Sequence, residues 1–292
     1  MKLKKALIAA AGTGSRLLPT TKEQPKEMLP IFSISPLDQL CVKPLVQLVF
    51  EQLYDVGFRE FCFVIGRGKR AIEDHFTQDN EFLHDLESKD KQPALDDLRA
   101  FYERLDDSVM FWFNQSRPRG FGDAVLTGRS GIGDDDFLVH AGDTYIISEK
   151  NAHYRRLFQV FEKMKADSAF FVKRTRNPME RGIIEGERID ERTYAVRRAV
   201  EKPDVPFSDL AIEPVYLFRA SIFESLEHVK PGKSNEVQLT DGIARIVEAG
   251  RTVCASELDD ADLRMDIGSP QSYWDALRSS YEFATKRLEI SA

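Results

Sequence analysis

Short apolar runs and segments of helical periodicity take turns along this chain, and that alternation leaves few folds open. Lys5–Ala11 is an Ala- and Ile-rich run ended by Gly12, and it reads as a buried parallel strand. Pro44–Val56 carries Leu45, Leu48, Val49, Leu53 and Val56 at helical spacing and stops at Gly57. Phe61–Ile65 is a second strand, Ala71–Phe76 begins a helix, and Val109–Asn114 is a third strand. A helix at Gly122–Arg129, a strand at Asp136–Ala141, a helix at Ala152–Met164 and a strand at Ala169–Val172 continue the pattern. Repeated β-α-β units imply an α/β fold with a Rossmann-like, mostly parallel central sheet flanked by helices. From Gly182 to Phe218 the helices stop. The strand-like pieces Gly182–Glu185, Ala195–Val200 and Ala211–Phe218 predict a small antiparallel insertion or a second lobe. Helices return at Ala220–His228, Gln238–Glu248 and Gln271–Leu288, and the highly charged Gln78–Arg104 is a helical surface segment. No hexapeptide repeat follows the main domain, so no C-terminal β-helix is expected.

The chain's 292 residues, 42% hydrophobic and 30% charged, suffice for one large soluble domain. No apolar run approaches the ~20 residues that span a bilayer, so no membrane partner is expected. The apolar start, Leu3–Ala10, is short and runs into Gly12-Thr13-Gly14, which favours a first strand and turn over a signal peptide. Cys41, Cys62 and Cys254 are odd in number and widely spaced, an argument for a reducing cytoplasm and against a disulfide framework or zinc site. With a formal net charge of −7 and no basic stripe, nucleic acid is not an expected partner. An anionic substrate must then be held by a few local Lys and Arg side chains.

The loop after the first strand supplies two. Glycines in Ala9-Ala10-Ala11-Gly12-Thr13-Gly14-Ser15-Arg16 let backbone N–H groups approach phosphate oxygens, and Arg16 adds a fixed cationic fork. Gly-x-Gly alone fits a plain strand-to-helix turn equally well. A dinucleotide fingerprint needs a glycine where Leu17 stands, and the Gly-Lys-Ser/Thr end of a P-loop is missing. The continuation, Thr20-Thr21-Lys22-Glu23-Gln24-Pro25-Lys26-Glu27-Met28-Leu29-Pro30, puts Lys26 on the same loop as Arg16. Two cations on one glycine-rich loop suit a ligand that carries phosphate. Asp143 ends the strand Phe137–Ala141 and its Gly142 turn, where parallel sheets build sites, and is a natural Mg²⁺ ligand. Asp266 opens an Asp-x-Gly turn before a helix; a turn-capping role is its alternative. Asp134-Asp135-Asp136 reads as a solvated turn.

Read together, Gly12 to Pro30 gives G-x-G-S-R-L-x-P-x-T-K-x-x-P-K-E-M-L-P, which resembles the signature of nucleotidyltransferases that activate sugar phosphates. It is most similar to the bacterial-type UTP–glucose-1-phosphate uridylyltransferases. The resemblance runs from about Lys5 to Ser280, with one insertion near Phe32–Val42. It implies a single nucleotidyltransferase domain over residues 1–292, of the nucleotide-diphospho-sugar transferase type. The nucleotide part would lie at about 1–145, the sugar-phosphate part at about 146–270 and a C-terminal helix at about 271–290.

By the same resemblance, Ala10, Ala11, Gly12, Thr13, Gly14, Ser15, Glu27, Gln115 and Gly120 bind the nucleotide. The Gln115 amide, donor and acceptor at once, suits a uracil edge. Asp143, Gly182, Glu201, Lys202 and Glu236 bind the sugar phosphate, and Glu201-Lys202-Pro203 and Glu236-Val237-Gln238-Leu239-Thr240-Asp241 match family segments. Asp143 and Asp266 share Mg²⁺ as the cofactor; Arg16, Lys26 and Lys202 are catalytic. The chain departs from the family at Ser15, Ser116, Asp123, Arg181 and Pro214, where Thr, Gly, His, an aromatic residue and Gly are usual.

The implied reaction joins UTP and glucose 1-phosphate into UDP-glucose and pyrophosphate. The sugar phosphate, already an anion, attacks the α-phosphorus in line, so no general base is required. Another pair, such as one using dTTP, and a non-catalytic regulatory relative are the alternatives. The latter would be expected to lose Arg16, Lys26 or Asp143, and all are present. A cytoplasmic homo-oligomer, dimer or tetramer, is expected.

Overall fold

The computed structural model describes residues 3–89, 91–232 and 235–291. Met1, Lys2 and Ala292, at the ends of the expected single domain, and Asp90, within the charged helical segment, lie outside the described residues, as do Lys233 and Ser234.

Strand β1 (Lys5–Ala10) is followed by a loop of short turns and a hairpin, β2 (Pro30–Ile34) and β3 (Leu40–Pro44). Then come α1 (Leu45–Asp55), β4 (Glu60–Gly66), α2 (Arg70–His75), α3 (Asn80–Ser88), α4 (Gln92–Asp106) and β5 (Val109–Gln115). Next are α5 (Phe121–Thr127), α6 (Arg129–Ile132), β6 (Phe137–Ala141), β7 (Thr144–Ile147), α7 (Ala152–Lys163) and β8 (Ser168–Arg174). Strands β9 (Gly182–Arg188), β10 (Thr193–Glu201) and β11 (Leu210–Phe218) run without helices between them. The chain closes with α8 (Ile222–Glu227), α9 (Leu239–Glu248), β12 (Val253–Glu257), β13 (Leu263–Asp266) and α10 (Pro270–Ser291).

Among the described residues, nine strands form one sheet in the order β5-β4-β1-β6-β11-β8-β12-β10-β9. Pairing is parallel through β5, β4, β1 and β6 and between β8 and β12. From β1 the chain moves outward to β4 and β5, then returns to pair β6 with the other edge of β1. Loops diverge at such a switch point and leave a crevice at the carboxyl ends of the strands. The antiparallel pieces extend this same sheet, as an insertion and not as a second lobe. β11 enters its middle, antiparallel to both β6 and β8. Its near-continuous burial suits a central position rather than an edge.

Both faces of the sheet are covered. Along β1, Ala6, Ile8 and Ala10 face one apolar cluster, while Leu7 faces the other. Strand alternation repeats this in β4, where Phe61, Phe63 and Ile65 oppose Cys62 and Val64. Cys254 is equally buried. Phe50 of α1 anchors the first cluster, its ring 4.7 Å from Phe61, 5.3 Å from Phe76 and 5.9 Å from Phe101. No described helix is long and apolar enough to cross a membrane.

The insertion near Phe32–Val42 is the β2–β3 hairpin, and it is clasped by the last helix. Tyr273 donates its hydroxyl to the Pro30 carbonyl at 3.1 Å, the Phe32 N–H donates to Ser280 Oγ at 3.2 Å, and the Phe32 ring meets Tyr281 edge-on at 5.1 Å.

Two expectations follow from the core. Phe50→Ala should destabilise the fold by about 3–5 kcal/mol, since the surrounding rings cannot close the void; chemical denaturation reads it. His140 and His153 are fully buried, and burial holds their pKa values down to about 4 and about 3. The unfolded rings bind protons near pH 6.5 and the folded ones do not. Stability should therefore fall as pH drops below about 6.5, by up to about 1.4 kcal/mol per pH unit for each ring, and level off below their folded values.

Candidate active site

A cavity of about 970 Å³ opens where the switch point predicts, over the carboxyl ends of β1 and β6. The loop after β1 makes one wall. Gly14 takes a left-handed conformation at φ 66°, and a Cβ there would stand 3.1 Å from Thr21. Thr21 Oγ1 donates to the Gly14 carbonyl at 2.8 Å, folding the loop back on itself. Ala11, Gly12, Thr13, Gly14, Ser15, Arg16 and Lys26 all border the cavity. Ala10 does not: strand alternation turns its side chain into the core.

Lys26 Nζ donates to the Asp143 carboxylate, joining the β1 loop to the end of β6. Burial alone would lower the Lys26 pKa, but Asp143 and Glu27 outweigh it and hold the ammonium above its ordinary value. Burial alone would raise Asp143; Lys26 more than reverses that and holds it below the usual carboxylate range. The pair stays ionised.

A two-stranded ribbon brings the second aspartate to the first. β13 pairs antiparallel with β7, setting Asp266 opposite Thr144, and the Ile267 N–H donates to the Asp143 carbonyl at 2.9 Å. Asp266 is held by Arg264, whose Nη1 lies 2.5 Å from Oδ1; Arg264 Nε also reaches Glu213 at 2.6 Å. Gly268 leaves room between Asp266 and Arg16, for a Cβ there would lie 2.8 Å from the first and 3.2 Å from the second. No group of three or more acid, His or Cys ligands exists among the described residues. Two hard carboxylates facing a glycine-rich loop with Arg16 and Lys26 have the chemistry of a site for a divalent cation that keeps waters and completes its shell from a ligand's oxygens.

The opposite wall comes from the later strands. Gly182 opens β9 and Glu201 closes β10; a Cβ on Gly182 would sit 2.7 Å from Thr240 Oγ1 and 2.9 Å from Glu201 Oε2. Thr240 donates to Glu201 at 2.8 Å and lines the cavity, whereas its neighbour Asp241 does not border it. Lys202 is held at a strained φ of 44°, with Nζ 3.4 Å from Glu201.

Gln115 and Gly120 form the third side. The Gln115 amide nitrogen donates to Asp123 at 2.7 Å and to the Gly120 carbonyl at 3.2 Å. Asp123 accepts only, so it fixes the amide with Oε1 as its remaining acceptor. A Cβ on Gly120 would lie 2.5 Å from the Val237 carbonyl, and Val237 N–H donates to Arg119 at 2.7 Å. The Gln115 loop is thereby stitched to the segment carrying Glu236, which accepts from Gln238 at 2.7 Å. Glu27 borders the cavity at only 1% exposure, its carboxylate taken by Lys69 at 2.6 Å.

Sequence reasoning missed Thr240, Arg264, Lys69 and the Asp123 bond to Gln115. Thr240 was within reach, since it stands in the first turn of α9 and inside the matching segment Glu236 to Asp241. No histidine or cysteine lines the cavity among the described residues.

Known proteins resemble this chain over nearly its whole length. The nucleotidyl transferase family profile matches residues 5–282. A UTP–glucose-1-phosphate uridylyltransferase from Pseudomonas aeruginosa is 34% identical over 287 residues, covering 96% of each chain. One from Bacillus subtilis (strain 168) is 34% identical over 292 residues, covering 99% of this chain and 94% of the relative. Among solved structures, a UDP-glucose pyrophosphorylase complexed with UDP-glucose superposes with a TM-score of 0.80 at 31% identity, over 96% of this chain and 99% of its own.

Gly14→Ala should cost about 1–2 kcal/mol through left-handed strain, before any displacement of Thr21, as read by chemical denaturation.

Proposed function

Because this chain belongs to the nucleotidyl transferase family, we propose that it transfers a uridylyl group from UTP to glucose 1-phosphate, giving UDP-glucose and pyrophosphate. The carrying observation is one cavity walled on one side by the Gly12–Arg16 loop, Lys26, Asp143 and Asp266, and on the other by Gly182, Glu201, Lys202 and Thr240. That is a triphosphate wall facing a sugar-phosphate wall. In this reading residues up to about 145 serve mainly the nucleotide and residues from about 146 to 270 mainly the sugar phosphate, with Asp266 crossing over to the triphosphate wall.

In this reading the loop amides, Arg16 and Lys26 hold the triphosphate and neutralise the departing pyrophosphate. Glu201 accepts hydrogen bonds from sugar hydroxyls, Gly182 lets the ring approach the backbone, and Lys202 holds the sugar phosphate. A phosphate oxygen of the sugar then forms a bond to the α-phosphorus as the bond from that phosphorus to the β-phosphate oxygen breaks. The nucleophile is already an anion, which is why a cavity without histidine or cysteine suffices. Catalysis is positioning and charge neutralisation. Asp143 and Asp266 would hold Mg²⁺, which supplies positive charge at the phosphates when bound. Gln115 Oε1 accepts from the N3–H shared by uracil and thymine, so the base is read as one of these.

The test is a matrix of NTPs against sugar 1-phosphates, read by pyrophosphate release. UTP with glucose 1-phosphate should be the preferred pair; no turnover with any pair would sink the reading. Lys202→Ala should raise the KM for glucose 1-phosphate at least about tenfold and leave that for UTP nearly unchanged. Chelation of divalent metal should abolish turnover, and Mg²⁺ should restore it.

A further inference from the structure

Lys69 does not border the cavity, yet it holds one of the most buried carboxylates of the molecule. It sits in the turn after β4, Gly66-Arg67-Gly68-Lys69, where Gly68 takes φ 79° and the Lys69 N–H donates to the Gly66 carbonyl at 3.2 Å. Gly66 lies against the end of β1: a Cβ there would stand 3.0 Å from the Ala11 carbonyl. The turn thus delivers Lys69 beneath the phosphate loop, where its side chain is 7% exposed and Nζ lies 2.6 Å from Glu27 Oε2. Glu27 precedes Met28 and follows Lys26, and its Cγ lies 3.3 Å from where Gly142 would carry a Cβ. Charges therefore alternate from the β4 turn to the end of β6: Lys69, Glu27, Lys26, Asp143. Both carboxylates pull on Lys26.

We propose that Lys69 is a positioning residue for nucleotide binding: by neutralising Glu27 it keeps Lys26 directed to Asp143 and the incoming phosphates. Burial raises the Glu27 carboxyl above its ordinary value, and Lys69 is the strongest counterweight to that. A buried carboxylate that loses its partner draws the nearest cation, because an unpaired buried charge is costly. The nearest is Lys26, which cannot serve Glu27 and a triphosphate together. Lys69 itself does not border the cavity. The inference rests on reading Lys26 as a phosphate-holding residue.

Binding of UTP with Mg²⁺ to the full chain, measured by calorimetry, separates the two. Lys69→Met should weaken UTP binding about tenfold, with the KM for glucose 1-phosphate within about twofold of the parent, while Lys69→Arg stays within about threefold. Lys69→Gln keeps a hydrogen-bond donor for Glu27 but no charge, and should also weaken UTP binding at least about fivefold, whereas a merely structural role would be restored by the amide. Unchanged UTP binding in a folded Lys69→Met protein, or a Lys69→Arg protein as weak as Lys69→Met, overturns the proposal. If Lys69→Met does not fold, Lys69→Gln and Lys69→Arg decide: a loss of UTP binding in the first that the second does not share supports the role, and parental UTP affinity in Lys69→Gln refutes it. Failure of the unsubstituted protein to bind UTP overturns the reading of the site and this inference with it.

Discussion

The ion pair between Lys26 and Asp143 ties the loop after β1 to the end of β6, and the site is built outward from it. A chain with a net charge of −7 can hold two phosphate-bearing substrates only if its local cations stay charged and fixed. The protein does this by interleaving them with carboxylates. Lys26 lies between Asp143 and Glu27, and Arg264 between Asp266 and Glu213. Each carboxylate keeps its cation ionised in a partly dry setting and orients it without consuming all of its donors. Such rigidity suits a cavity that no histidine or cysteine borders among the described residues.

The sheet makes this possible by bringing distant residues to one edge. β1, β4 and β6 run parallel, so the turns after them open on the same side. The phosphate loop, the Lys69 turn and Asp143 arrive together for that reason alone. β13 reaches the same edge through its short pairing with β7, which sets the second aspartate beside the first. The wall of Gly182, Glu201 and Lys202 arrives from the other direction, through β9 and β10. Glycines stand where segments of the cavity lining meet: Gly120 under Val237 and Gly182 against Thr240 and Glu201 leave no room for a methyl group.

Much of this was legible in the chain. The parallel half was, because buried strands and amphipathic helices have different periods, and Asp143 stood out by ending a strand beside a glycine. Arg16 and Lys26 were legible through the long, ordered motif around them. What escaped notice depends on contacts remote in sequence. The β2–β3 hairpin has only half-buried alternation, and it is recognisable as a hairpin once α10 lies on it. β11 carries the apolar pattern of a strand, but nothing local says that it enters the centre of the sheet. Lys69 looks like a surface lysine in a basic turn, and only the packing of Gly66 on Ala11 buries it. Asp123 reads as a helix first-turn carboxylate until its bond to Gln115 is seen.

The clasp between the hairpin and α10 bears on the order in which the molecule is made. The residue that follows the phosphate loop, Pro30, is held by Tyr273, 243 positions later, and Phe32 by Ser280, 248 positions later. On the ribosome, strands β1, β4, β5 and β6 emerge and can pair long before α10 is synthesised. The hairpin that anchors the phosphate loop acquires its support only when the chain is almost finished. A nascent or C-terminally shortened chain would therefore carry a built parallel half with an unbraced loop, and competence to hold nucleotide would be a property of the nearly full-length polypeptide.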